Sequence, residues 1–115
     1  MGQLPNSLGN TIECVLSNND DMALGAIDAL KAAGCFSGHL SIPVIGVDAT
    51  ASALDMVAQG ALYGTVQNDA PAQAQAVIDL ALLLAAGEDV TPAAFPFPIQ
   101  NKVVYIESVI IKRVE

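Results

Sequence analysis

Short apolar blocks alternate along the chain with stretches whose apolar residues recur every three or four positions. The blocks predict buried strands over residues 12–17, 42–47 and 61–67. The periodic stretches predict helices over residues 20–33, 49–59 and 71–86. Asp20 is the predicted N-cap of the first helix, and residues 102–111 predict a strand pair or one long strand. This β-α-β-α-β-α-β order indicates an α/β domain with a parallel sheet and right-handed crossovers.

Asn and Asp residues stand where each of the first three predicted strands ends. They are Asn18, Asn19 and Asp20, then Asp48, then Asn68 and Asp69. Because parallel strands end at one edge of a sheet, these side chains are expected to face one ligand-binding crevice. Carboxylates and carboxamides without a nearby cation suit a neutral polyhydroxylated ligand and would repel phosphate. The alternative is that these residues only cap helices and end strands.

Composition and charge narrow the class of protein. The chain has 115 residues, which predicts one domain, and 53% of them are apolar, which excludes disorder. The net charge of −8 argues against nucleic acid and anionic membranes as partners. The sequence contains no run of about 18 apolar residues, so no transmembrane helix is predicted. The first residues lack the basic and apolar regions of a signal peptide.

Motifs for catalysis and metal binding are not evident in the sequence. Cys14 and Cys35 are expected to be buried free thiols, and His39 a solvated loop residue. Neither a nucleotide-binding glycine pattern nor a nucleophile elbow occurs, so no enzyme is predicted. Asp48 could mimic the phospho-acceptor of a receiver domain. That interpretation needs a lysine at the end of a later strand, and Lys102 is expected to begin one.

Three blocks carry a family pattern: residues 17–26 (SNNDDMALGA), 42–49 (IPVIGVDA) and 64–70 (GTVQNDA). Together they resemble the C-terminal half of the bacterial periplasmic binding proteins for galactose and glucose. The first block is shared with ribose-binding proteins and with repressors of the lactose-repressor type. The second and third blocks favour the galactose/glucose branch, and the resemblance runs from about residue 12 to residue 109.

The resemblance implies roles for four residues. Asn19, Asp48 and Asn68 match the side chains that hydrogen-bond the pyranose hydroxyls in that family. Glu13 matches a glutamate that completes a calcium site in some members. A lone carboxylate cannot hold calcium tightly, so Glu13 is expected to be an exposed strand residue, with calcium relevant only to the full-length protein. No other cofactor is implied. The loop at residues 36–41 is expected to absorb the longer spacing between the first two sites.

The resemblance also implies that the chain is incomplete. The expected fold is the parallel-sheet, three-layer α/β sandwich of type I periplasmic binding proteins. Residues 1–69 and 106–115 would belong to the C-terminal lobe, and residues 70–105 to the other lobe. The third helix, apolar nearly all round, would then expose apolar surface. We therefore expect the isolated chain to bind sugar weakly or not at all, and to dimerise, swap elements or need the rest of the protein.

The implied function is binding of a hexose for uptake by the membrane subunits of an ABC transporter. The resemblance implies a second role in chemotaxis. The protein would be periplasmic, or extracellular and lipoprotein-anchored. Two alternatives stay open at this point. One is the sugar-binding effector domain of a lactose-repressor-type regulator, and the other is a receiver-like domain phosphorylated at Asp48.

Overall fold

The computed structural model describes residues 11–35 and 42–113. In chain order the described elements are β1 (Val15–Leu16), α1 (Asp20–Ala32), β2 (Val44–Val47), α2 (Ala51–Ala58), β3 (Gly64–Gln67), α3 (Ala70–Ala86), β4 (Ile99–Gln100), β5 (Val103–Val104) and β6 (Val109–Lys112). The chain divides into two compact units, Met1–Gln67 with Ile110–Glu115, and Asn68–Val109. The assignment of residues 1–69, 70–105 and 106–115 to two lobes of a larger protein stays a prediction.

The first unit is built on a parallel sheet. The strand order is β1-β2-β3-β6, and β1 pairs in parallel with β2, as β2 does with β3. The register places Val15 opposite Val44 and Ile45 opposite Gly64. The predicted α/β class with a parallel sheet is therefore confirmed. The strands are shorter than the apolar blocks, and β1, at one end of the strand order, covers only two of the six residues predicted.

Helices α1 and α2 pack on one face of this sheet, because each crossover moves to the next strand in the same direction. Val44 and Gly46 point to that face and are buried, whereas Ile45 and Val47 alternate with them and are half-buried. The core is small-residue rich: it consists of Ala23, Ala26, Ile27, Leu30, Val44, Ala53, Val57 and Leu62. Gly46 allows close packing, since a Cβ there would collide with the Asp20 carboxylate.

The second unit contains α3 and a hairpin. Asp69 caps α3, Pro71 lies in its first turn, and Gly87 ends it in the left-handed conformation at φ 71°. Strands β4 and β5 pair antiparallel across Asn101 and Lys102, both of which have positive φ. Two such residues form the tight turn that matches strand twist. The expectation that Lys102 begins a strand is therefore wrong, because its backbone is needed in the turn.

Apolar side chains on α3 are exposed, as predicted. Only Ala76 of this helix is buried, while Val77, Ile78, Leu82 and Leu84 are between 55% and 69% exposed. Among the described residues, no helix is both long enough and apolar enough to cross a bilayer.

The cysteine prediction was correct in one respect and wrong in another. Cys14 and Cys35 are free thiols, but Cys14 is exposed and Cys35 is half-buried. Cys14 directly precedes the short β1. His39 and the loop at residues 36–41 lie outside the described residues.

Candidate functional site

The carboxyl ends of β1, β2 and β3 lie at one edge of the parallel sheet, and the predicted ligand-binding residues follow them. Asn19 stands three residues after β1, Asp48 directly follows β2, and Asn68 directly follows β3. This is the edge where open α/β sheets bind ligands. The local structure around each residue decides which hydrogen-bonding groups it can present to a ligand.

Asn19, not Asp20, is the N-cap of α1. Its Oδ1 accepts a hydrogen bond from the Met22 amide at 2.9 Å, and its backbone is extended. The Ser17 hydroxyl donates to the Asn19 carbonyl oxygen at 2.8 Å, which braces the turn from the other side. The predicted cap at Asp20 is wrong by one residue, because a buried network described below takes up the Asp20 carboxylate. The cap also fixes the orientation of the Asn19 carboxamide, whose Nδ2 is the group that can donate.

Asp20 is completely buried, and its carboxylate joins three segments of the first unit. Oδ1 accepts from the Thr65 hydroxyl at 2.7 Å, and Oδ2 accepts from the Thr50 amide at 2.7 Å. The Thr65 hydroxyl in turn accepts from the Ala49 amide at 3.2 Å. A buried carboxylate is costly unless it is hydrogen-bonded, and here both oxygens have donors.

Asp48 lies on a backbone that non-glycine residues rarely adopt. Its φ is 110° and that of Ala49 is 56°. Such residues cost roughly 1–3 kcal/mol each, persist only where the surroundings enforce them, and cluster at ligand sites. The Asp48 amide donates to the Val66 carbonyl at 2.8 Å, which ties this loop to β3. The Asp48 side chain itself is exposed.

Asn68 is the first residue of the second unit. It is exposed, and its carbonyl accepts from the Ala70 amide at 3.0 Å. Its neighbour Asp69 caps α3 through the Ala72 amide at 2.9 Å. The Asp20 network links the start of α1, next to Asn19, to the loop that carries Asp48. A common ligand site for all three residues stays a prediction.

Sequence reasoning missed the part played by Asp20 and Thr65. The burial of Thr65 in β3, where it is 1% exposed, is a finding of the structure. The sequence holds one local signal of a close approach to this part of the sheet. Gly46 interrupts an otherwise bulky strand, which often marks a close approach by another group.

Glu13 has no cluster of further acidic ligands for calcium within residues 11–35 and 42–113. Glu13 is exposed, as expected. That part of the chain contains no group of three or more His, Cys, Asp or Glu side chains able to hold a metal ion. The role suggested for Glu13 stays untested.

Residues 2–89 match the family model described as the periplasmic binding protein domain. The chain belongs to the periplasmic binding protein family. Within it, the chain is 46% identical over 88 residues to the D-galactose/methyl-galactoside binding periplasmic protein of Haemophilus influenzae; this match covers 76% of the chain and 25% of that relative. It is 35% identical over 111 residues to the xylitol-binding protein of Mycolicibacterium smegmatis, which covers 93% of the chain and 31% of the relative.

A solved structure agrees with these relatives. The chain is similar, at 43% identity and a TM-score of 0.64, to an ABC transporter solute binding protein from Bacillus halodurans with bound myo-inositol. The match covers 77% of this chain and 30% of that one. The chain thus spans between 25% and 31% of the length of these three relatives.

The comparisons confirm the predicted family of periplasmic sugar-binding proteins. They favour it over the repressor and receiver alternatives, because the relatives are solute-binding proteins rather than regulators or enzymes. The galactose/glucose branch stays a prediction, since the relatives carry the names of a hexose binder and a xylitol binder, and the solved structure holds myo-inositol.

Proposed function

We propose that this chain contributes to an extracytoplasmic binding protein that takes up a neutral hexose, galactose- or glucose-like, and delivers it to the membrane subunits of an ABC transporter. The observation that carries the proposal is the Asp48 loop. An exposed carboxylate follows a sheet strand on a backbone of positive φ, and three hydrogen-bond acceptors of the first unit hold that loop in place.

The chemistry of the edge favours an uncharged ligand rich in hydroxyls. A carboxylate accepts two hydroxyl hydrogen bonds, and a carboxamide can donate and accept. The chain carries 12 acidic residues against 4 basic ones. Phosphate or a carboxylate ligand would therefore meet repulsion at Asp48. Galactose, xylitol and myo-inositol, named for two relatives and bound in the solved structure, are neutral and rich in hydroxyl groups. A further relative, from Rhizobium meliloti and 43% identical over 97 residues, is named a putative rhizopine-binding protein.

Within this proposal Asn19, Asp48 and Asn68 bind ligand hydroxyls and perform no bond chemistry. Binding would bring two lobes together by hinge motion, which shifts the population from open to closed forms. The proposed location is the periplasm, or the outer face of the membrane through a lipid anchor. A further delivery of the liganded form to a chemoreceptor is part of the same proposal.

Calorimetric titration of the full-length gene product tests the function. The ligands are D-galactose, D-glucose, D-ribose, xylitol and myo-inositol, with D-galactose 6-phosphate as the anionic control. We expect saturable binding of a hexose and none of the phosphate ester. Failure to bind any neutral polyol, or a preference for the phosphate ester, would contradict the proposal.

The genomic sequence directly upstream separates transport from regulation. A signal or lipoprotein peptide in the full-length gene supports the transport role. A helix-turn-helix with a basic N-terminus would instead support the repressor.

A further inference from the structure

We propose that Asp20 is a positioning residue for ligand binding: its buried carboxylate, together with the Thr65 hydroxyl, holds residues 48–50 in the conformation that presents Asp48. This inference rests on the proposed function. Asp20 itself does not touch the ligand, because its side chain is completely buried and both of its oxygens face protein donors.

The loop after β2 is held by three consecutive amides. Asp48 N–H donates to the Val66 carbonyl, Ala49 N–H to the Thr65 hydroxyl, and Thr50 N–H to the Asp20 carboxylate. Every peptide of the turn thus has a fixed acceptor. Two of the three acceptors are side-chain oxygens, so the turn depends on these two side chains and not on sheet pairing alone.

These contacts explain how the unusual backbone persists. Consecutive positive φ values at Asp48 and Ala49 are unfavourable for residues with a Cβ. A loop free to relax would leave that region and turn the Asp48 carboxylate away from its present direction. The network spans 30 residues from Asp20 to Thr50 and 45 residues from Asp20 to Thr65, so it ties this loop to the first residue of α1 and to β3.

The surroundings are adapted to the Asp20 carboxylate. A Cβ at Gly46 would collide with Asp20 Oδ1, so the strand leaves room for this one group. The carboxylate must accept two hydrogen bonds at once, one from a hydroxyl and one from an amide. An asparagine at this position offers one acceptor oxygen and an NH2 group that only donates, so it cannot accept at both oxygen positions from the two donors as they stand.

The test compares Asp20→Asn, Thr65→Val and Thr65→Ser with the wild-type full-length gene product. Thr65→Val keeps the shape of the side chain and removes the hydroxyl, whereas Thr65→Ser retains it. Ile27→Val serves as the control, because it loosens the same core without touching the network. Thermal unfolding first fixes a temperature at which every variant is folded.

Two readouts are needed. Amide hydrogen exchange at Ala49 and Thr50, measured without ligand, reports whether the loop is held. Calorimetry with D-galactose, xylitol and myo-inositol reports affinity. In Thr65→Val and Asp20→Asn we expect faster exchange at these amides and affinity about tenfold weaker. This figure is taken by analogy from the outer partners of metal-ligating side chains, whose removal costs roughly 10- to 100-fold. Thr65→Ser and Ile27→Val should stay close to wild type.

Unchanged exchange at Ala49 and Thr50 in both network variants overturns the inference. So does faster exchange with unchanged affinity, since the loop would then be held without mattering for the ligand. If the wild-type protein binds none of the three polyols, the proposed function fails. The exchange data then decide separately whether Asp20 holds the loop.

Discussion

At the scale of single residues, the proposed site depends on one exposed carboxylate and the backbone beneath it. Asp48 and Ala49 occupy a region of φ that favours glycine, yet neither is glycine. A glycine there would relieve strain and also widen the range of directions available to the Asp48 side chain. The two following predictions separate the chemistry of the carboxylate from the conformation that directs it.

Asp48→Ala should weaken hexose binding by the cost of a lost hydrogen bond to a charged group, about 1.5–3 kcal/mol. Calorimetry on the full-length protein measures it, with Asp55→Ala as the control, because Asp55 is an exposed acid on α2 that carries the same charge. Equal affinity of Asp48→Ala and wild type for every hexose would remove Asp48 from the site.

Ala49→Gly should stabilise the fold by up to about 1 kcal/mol, because relief of left-handed strain outweighs the entropy that glycine loses on folding. Ala29→Gly, within α1, should instead destabilise it by about 1 kcal/mol. Urea unfolding measures both. If the two glycine variants are destabilised alike, Ala49 does not hold a positive φ in solution.

At the scale of elements, the helix starts and strand ends supply the candidate ligand groups. Asn19 both caps α1 and presents a carboxamide at the sheet edge. Substitutions of Asn19 can therefore separate an effect on folding stability from an effect on ligand affinity. Several residue types cap a helix, but few of them offer an amide donor.

Asn19→Ser should keep the stability of α1, since serine is a comparable N-cap, whereas Asn19→Ala should lose about 1 kcal/mol. Both should weaken hexose binding, because both lack the carboxamide. Thermal unfolding and calorimetry on the same samples make the comparison. Wild-type affinity in Asn19→Ser would show that the residue acts as a cap alone.

Gly64→Ala tests the approach of β6 to β3. An added Cβ would lie 2.8 Å from the Ile111 carbonyl oxygen, a backbone atom that cannot swing away as a side chain can. The substitution should cost roughly 1–3 kcal/mol of unfolding free energy, as other overpacked sites do. Gly25→Ala, where a Cβ meets nothing within 4 Å, should stabilise α1 by about 1 kcal/mol. A neutral Gly64→Ala would contradict the strand order.

Element order and the sheet edge could be predicted from the sequence, because apolar blocks and Asn/Asp breaks are local signals. Strand lengths could not, since pairing partners decide how much of a block becomes strand, as β1 illustrates. The burial of Asp20 was also out of reach: it depends on Thr50 and Thr65, which lie 30 and 45 residues away in sequence. The hairpin turn at Asn101 and Lys102 was not predicted, because lysine is a rare turn residue at positive φ.

At the scale of the whole molecule, the chain spans between 25% and 31% of the length of three similar solute-binding proteins. It carries exposed apolar side chains on α3. Large apolar patches mark surfaces that other protein covers. We therefore expect the 115-residue chain alone to self-associate.

Leu82→Gln combined with Leu84→Gln should reduce that self-association without destabilising the fold, because both side chains are more than 60% exposed. Sedimentation velocity over a concentration series provides the measurement. Ala85→Gln, on the same helix, is the control that adds a polar group without removing a large apolar side chain. A wild-type chain that stays monomeric at every concentration would contradict the expectation.

The most direct test of the central claim is a crystal structure of the full-length gene product with its tightest-binding neutral polyol. The account predicts ligand hydroxyls within about 3.2 Å of the Asp48 carboxylate and of the Asn19 and Asn68 carboxamides. A ligand bound elsewhere, with these three side chains making no contact to it, would contradict the account.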